Sequence, residues 1–114
     1  MLAPLVVEVA RTEAERRRGL AGRLHLAEGT GMLFVGTEDS DVAFWNSGTL
    51  IPLTIAFLDA AGRILETQDM LTIHESLVPL VYRPSRPYRH AVEVPRGWFA
   101  RMGLRVGDQL KLEP

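Results

Sequence analysis

The sequence predicts a mainly β single domain, a β-sandwich or partly open barrel with one N-terminal helix and one short C-terminal helix. Three observations carry that prediction. The segment from Phe44 to Ile64 reads apolar run, small polar loop, apolar run, Asp59-Ala60-Ala61-Gly62 turn, apolar run, which is strand, loop, strand, turn, strand. Strand-like runs recur along the whole chain while helical stretches are few and short, the pattern of a sandwich or barrel. At 114 residues with 46% hydrophobic and 24% charged residues, the chain has the size and composition of one domain with its own core.

Each element has a local reason. Leu5-Val6-Val7-Glu8-Val9-Ala10 opens the chain as a strand over 5–10. Thr12 and Glu15 then form a capping-box pair, in which a hydroxyl meets an orphan amide and a glutamate three residues on reaches back. That pair predicts a helix over 12–20, fraying at Gly19 or Gly22. Short strands follow over 31–35 and 42–46. Over 53–58, Leu53, Ile55 and Phe57 face one way and Thr54, Ala56 and Leu58 the other. Both faces are apolar, so this is a central strand, and the Thr54 hydroxyl needs a buried partner. A strand over 63–71 alternates Ile64, Glu66 and Gln68 with Leu65, Thr67 and Asp69. From Ile73 to Tyr88 the chain turns irregular, with prolines at 79, 84 and 87 that a central strand excludes. Strands over 90–94 and 108–113 enclose a short helix over 97–102, stopped by Gly103. Leu5, Val7, Val9, Phe34, Ile55, Phe57, Val92, Val94 and Leu110 are the predicted core.

Composition excludes several classes of function. There is no cysteine, hence no disulfide framework, thiolate zinc site or cysteine nucleophile. A net charge of -1 exerts no global pull on nucleic acid or anionic membrane. No apolar run approaches the ~20 residues of a membrane span. Met1-Leu2-Ala3-Pro4 leads almost directly into a strand, so the expectation is a cytoplasmic chain without a signal peptide. Arginine outnumbers lysine 12 to 1, and Asn46 is the sole asparagine. That bias leans toward a heat-adapted source, although codon usage in a GC-rich genome accounts for the arginines equally well.

The motifs fall into a familiar order: Gly19-Leu20-x-x-Arg23, Gly31-Met32-Leu33-Phe34, Phe44-Trp45, then Thr49-x-x-Pro52-Leu53-x-Ile55-x-Phe57-x-Asp59-x-x-Gly62-x-Ile64. Glu93-Val94-Pro95-x-Gly97 and Gly103-x-x-Val106-Gly107-Asp108 close the chain. Over nearly its whole length this resembles the bacterial and archaeal domain of unknown function 192 (DUF192). The resemblance implies a compact β-rich fold and no particular activity. The chain departs from the family pattern in two places. Members usually read Trp-Met-Lys-Asn-Thr where this chain has Trp45-Asn46-Ser47-Gly48-Thr49, and Leu-Asp where it has Leu53-Thr54. Charged chemistry resting on that Lys and Asp is absent from this member.

No residue set amounts to a reaction mechanism, so the functional expectation is a site for a small polar or anionic ligand, or a short peptide. Trp45 is either a core residue with its indole N–H bonded to a carbonyl or the wall of a pocket. In the second case Asn46, Ser47, Thr49 and Thr54 supply short polar groups. Arg23, Arg63 and Arg89 are the candidates to pair with an anion. His25, His74 and His90 lie in separate segments, and His74-Glu75 with Asp69 and Glu66 point apart on extended chain, so no metal and no cofactor is expected. A Ser47 or Ser76, His74, Asp69 triad has no nucleophile elbow behind it. The stretch Arg83-Pro84-Ser85-Arg86-Pro87-Tyr88-Arg89-His90 interleaves arginine with aromatics and offers the rival reading of single-stranded nucleic-acid binding. An enzyme of unidentified chemistry is the other rival.

Overall fold

In the computed structural model, which describes residues 5–113, eight strands and three short helices follow one another along the chain. They are β1 (Leu5–Ala10), α1 (Glu13–Arg18), β2 (Thr30–Phe34), β3 (Phe44–Trp45), β4 (Leu53–Leu58), β5 (Ile64–Met70), α2 (Ile73–Ser76), β6 (Val81–Tyr82), β7 (His90–Pro95), α3 (Trp98–Arg101) and β8 (Leu112–Glu113). The segment Met1–Pro4, from which the absence of a leader was expected, and Pro114 lie outside the described residues. The predicted mainly β fold with an N-terminal and a short C-terminal helix is what forms. The Thr12–Glu15 capping box closes on α1 as expected, and the helix ends at Gly19 with φ 51°.

Two elements depart from the reading of 73–88 as irregular chain. Thr72 and Glu75 form a second capping box, which starts the single turn of α2, and Val81–Tyr82 pairs with Phe44–Trp45 as a two-stranded ribbon. The final strand is shorter than the predicted 108–113: only Leu112 and Glu113 pair along β1, while Gln109 makes an isolated bridge to Arg63.

Six strands form one mixed sheet in the order β5-β4-β7-β2-β1-β8. β1 runs parallel to β2 and β8, and the other neighbours are antiparallel. Every residue of β4 is buried, the central strand that its doubly apolar pattern required. One face of the sheet carries Leu5, Val7, Ala56, Leu58, Ile64, Val92 and Val94 under α3, with Trp98 and Phe99 packed into it. The other carries Met32, Phe34, Leu53, Ile55, Phe57 and Ala91, covered by Leu20, Ile51 and Tyr88. Val9, expected in the core, is half-buried at the margin of the first face.

The alternation expected along β5 fails at one point. Leu58 pairs with Ile64 but Phe57 pairs with Glu66, so Leu65 is an extra residue bulged out of register. A bulge swaps faces across it, which sends Ile64 into the α3 side and leaves Glu66 and Gln68 on the opposite one. Gly31 lets β2 close on β7: a side chain there would put its Cβ 2.4 Å from the Glu93 carbonyl oxygen.

Candidate functional site

A concave cavity of about 540 Å³ opens on the second face of the sheet. Four segments build it. α1 and its C-terminal turn supply Glu13, the arginines 16–18 and Leu20; the end of β2 and the loop after it supply Phe34 to Glu38; residues 42–49 supply Phe44, Trp45, Ser47 and Thr49; and the entry to β7 supplies Tyr88, Arg89 and Glu93. The walls are aromatic. Phe34 and Phe44 meet edge to face at 5.0 Å, and Tyr88 is backed by the buried Phe57 at 4.9 Å. The Tyr88 hydroxyl donates to the Val42 carbonyl at 2.7 Å, and burial pushes its pKa up to about 12.

Backbone ties hold these segments together. Gly22 N–H donates to the Gly48 carbonyl, joining the turn after α1 to the loop after β3. Gly36 N–H donates to His90 Nδ1 at 3.1 Å. Only glycine fits at position 36, since a Cβ would lie 2.1 Å from the Arg89 carbonyl oxygen.

Four of the eight sequence candidates, Trp45, Ser47, Thr49 and Arg89, converge on this cavity. Trp45 is 57% exposed at the rim, the pocket-wall alternative rather than the core one. Arg89 Nε donates to Asp39 Oδ1 at 3.0 Å. Asn46 stands behind the wall, fully buried: its Nδ2 donates to the Leu71 carbonyl and to Ser76 Oγ, and its Oδ1 accepts from Leu80 N–H. Thr54 finds its expected partners on the α3 side, donating to Asp69 Oδ1 at 2.8 Å and accepting from Gly97 N–H at 3.0 Å. Arg23 pairs with Glu8 beside a second, shallower cavity of about 280 Å³. Arg63 is exposed at the edge where its chain meets Gln109.

The residue that sequence reasoning passed over is Glu93. It lies on β7 between Met32 of β2 and Ile55 of β4, 5% exposed, and lines the cavity from the sheet side. Burial alone pushes its pKa up to about 7, with no neighbouring cation or hydrogen bond to offset the loss of solvent. Arg96 Nε is the only sealed side-chain polar atom without a partner among the described residues. The Glu93 oxygens are therefore not sealed in protein, and they open to the cavity. The available signal is a charge in the middle of His90-Ala91-Val92-Glu93-Val94-Pro95, which reads as a buried charge only once both flanking strands are known. No cluster of three or more His, Asp or Glu that could hold a metal occurs among the described residues.

The sequence matches the profile of the family DUF192, described as "Uncharacterized ACR", over residues 3–112. The chain belongs to the DUF192 family. Two solved structures share the fold of this DUF192 protein. A Sinorhizobium meliloti protein described as a "putative transcription regulator" is 28% identical with a TM-score of 0.82, over 90% of this chain and 78% of its own. A protein of unknown function from Novosphingobium aromaticivorans is 29% identical with a TM-score of 0.81, over 90% of this chain and 71% of its own. No curated protein matches the chain.

Proposed function

We propose that this DUF192 protein binds a small polar or anionic metabolite, or a short peptide end, in the cavity between α1, the 42–49 segment and β7. The observation that carries the reading is the convergence of Trp45, Ser47, Thr49 and Arg89 on one concavity with a buried carboxyl in its wall. Aromatic walls with a few converging polar groups are the ordinary make-up of small-molecule sites, and the volume falls in their range. The description of the S. meliloti relative brings nucleic acid into view. Here Tyr88 and Trp98 are buried rather than offered for stacking, and Arg89, Arg96 and Arg101 are each paired with a carboxylate. That favours the small ligand.

The test is a thermal-shift screen of metabolites, metals and oligonucleotides, because a ligand of the folded state alone raises its apparent stability. A hit from the metabolites is expected. Thr49→Ala should weaken that hit by about 1–3 kcal/mol, the value of a buried hydrogen bond left unmade, with the fold intact. Trp45→Ala should also weaken it while costing the fold less than the about 3–5 kcal/mol of a core tryptophan. Loss of fold in Trp45→Ala, with no metabolite shifting the wild type, would sink the reading.

A further inference from the structure

We infer that the Glu93 carboxyl anchors a dipolar organic ligand, one that carries a protonated nitrogen at its inner end, an anionic group at its outer end and an apolar body between. This rests on the cavity being a small-ligand site and names the class of molecule it takes. The inner end is set by Glu93. An ionised carboxyl only accepts hydrogen bonds, and none of the ion pairs among the described residues includes Glu93. Its strand neighbours Met32 and Ile55 bring no polar group to it. A ligand ammonium or amidinium supplies both the charge and the donors that the protein withholds, and a buried charge needs such a partner. A neutral ligand would supply donors alone, and an anion would be repelled. The aromatic rings of the walls favour a cation in the same direction.

The outer end is set by the rim. α1 places three consecutive arginines, 16–18, along the cavity. Arg17 is committed to Glu13 and Arg89 to Asp39. The Arg16 guanidinium donates to the Arg11 carbonyl, a neutral partner that leaves its charge available to an anion. A simple amine would meet this rim unfavourably on the way in, whereas a molecule with an anionic tail is matched to both ends.

Calorimetric titration with three probes of one shape tests this: 4-(aminomethyl)benzoate, 4-methylbenzylamine, which lacks the carboxylate, and 4-ethylbenzoate, which lacks the amine. The dipolar probe should bind tightest and 4-ethylbenzoate at least about tenfold weaker than 4-methylbenzylamine, a modest return for one buried charge pair. Glu93→Gln should weaken both amines by about tenfold or more and leave 4-ethylbenzoate unchanged or improved. Should Glu93→Gln not fold, the wild type still decides. Its affinity for the amines should rise from pH 6 to 8 as Glu93 ionises, and its affinity for 4-ethylbenzoate should not. The charged and titratable groups that line the cavity with Glu93 are Glu13 and the arginines of α1, Glu38 of the loop, Tyr88 and Arg89, and His90 lies three residues before it at the start of β7. Burial holds the Tyr88 phenol up at about 12, far above that window, and holds His90 below its usual value. If 4-ethylbenzoate binds as well as the amines and Glu93→Gln changes nothing, the anchoring role is overturned while the cavity remains a ligand site. If none of the three binds at millimolar concentration, both fall.

Discussion

Glu93 is a buried carboxyl whose ionisation shows in the pH dependence of stability. A carboxyl with a folded pKa near 7, against an ordinary 4.5, binds its proton more tightly folded than unfolded. Below pH about 4.5 both states hold the proton and the group is neutral to stability. From there to pH 7 the unfolded chain releases its proton first, so stability falls as pH rises, by about 1.4 kcal/mol per unit from this group. Above pH 7 the folded carboxyl ionises too, and the loss levels off near about 3 kcal/mol. His90 slopes the other way: burial lowers its pKa, so its contribution is present at neutral pH and is lost as pH falls below its ordinary value. The difference between wild type and Glu93→Gln cancels His90. Urea unfolding from pH 4.5 to 8 should show that difference growing up to pH 7 and then flattening. Parallel curves for the two proteins would mean that Glu93 is not titrating in the fold.

At the scale of elements, the cavity depends on ties between pieces too short to hold themselves. α1 has six residues, α2 four, and β3 and β6 two each, all below the length at which a helix or hairpin is stable alone. Asn46 does the joining for three of them: it bonds the chain before α2 at Leu71, α2 itself at Ser76, and the approach to β6 at Leu80. Arg96 adds a second tie, donating to both Glu75 oxygens and to the Met70 carbonyl. These bonds, with the backbone amide of Thr72, hold the Glu75 pKa down to about 2. Asn46→Ala should therefore cost about 2–4 kcal/mol, since the half-buried Leu71 carbonyl and Leu80 N–H lose their partner and Ser76 loses a donor at once. Hydrogen exchange should show the cost as loosening across 71–82 with the six-stranded sheet still protected. Uniform loss of protection would show that the ribbon and the sheet unfold as one unit.

Across the whole molecule, opposite charges nearly balance and five of the twelve arginines sit in ion pairs among the described residues. The arginines 17, 23, 89, 96 and 101 each pair with a carboxylate, and the net charge is -1. In the segment from Arg83 to Arg101, three of the five arginines, 89, 96 and 101, are held by carboxylates, which reduces the charge free for phosphate contacts. Single-stranded oligonucleotides should bind no better than a neutral polymer at physiological salt. Tight binding with a steep salt dependence, weakened by both Arg86→Ala and Arg89→Ala, would restore the nucleic-acid reading. Among the described residues no helix is long and apolar enough to cross a membrane.

The features legible in the sequence are those whose cause lies within a few residues. The alternation of β1, the doubly apolar β4 and the Thr12–Glu15 box each depend on neighbours in the chain, and each formed where expected. Thr72-x-x-Glu75 was equally local, but the prolines beyond it obscured a helix of one turn. Tertiary structure decided the rest. The bulge at Leu65 reverses faces because β5 must register on β4, and no pattern inside β5 states that register. Trp45 is exposed because its strand lies in a two-stranded ribbon instead of the main sheet. Glu93 alternates along β7 as any solvent-facing charge would. Only the placing of β7 between β4 and β2, at the floor of the cavity that α1 and Tyr88 also line, buries that residue. Burial is a property of what packs against a residue, and for this chain the packing partners come from distant segments.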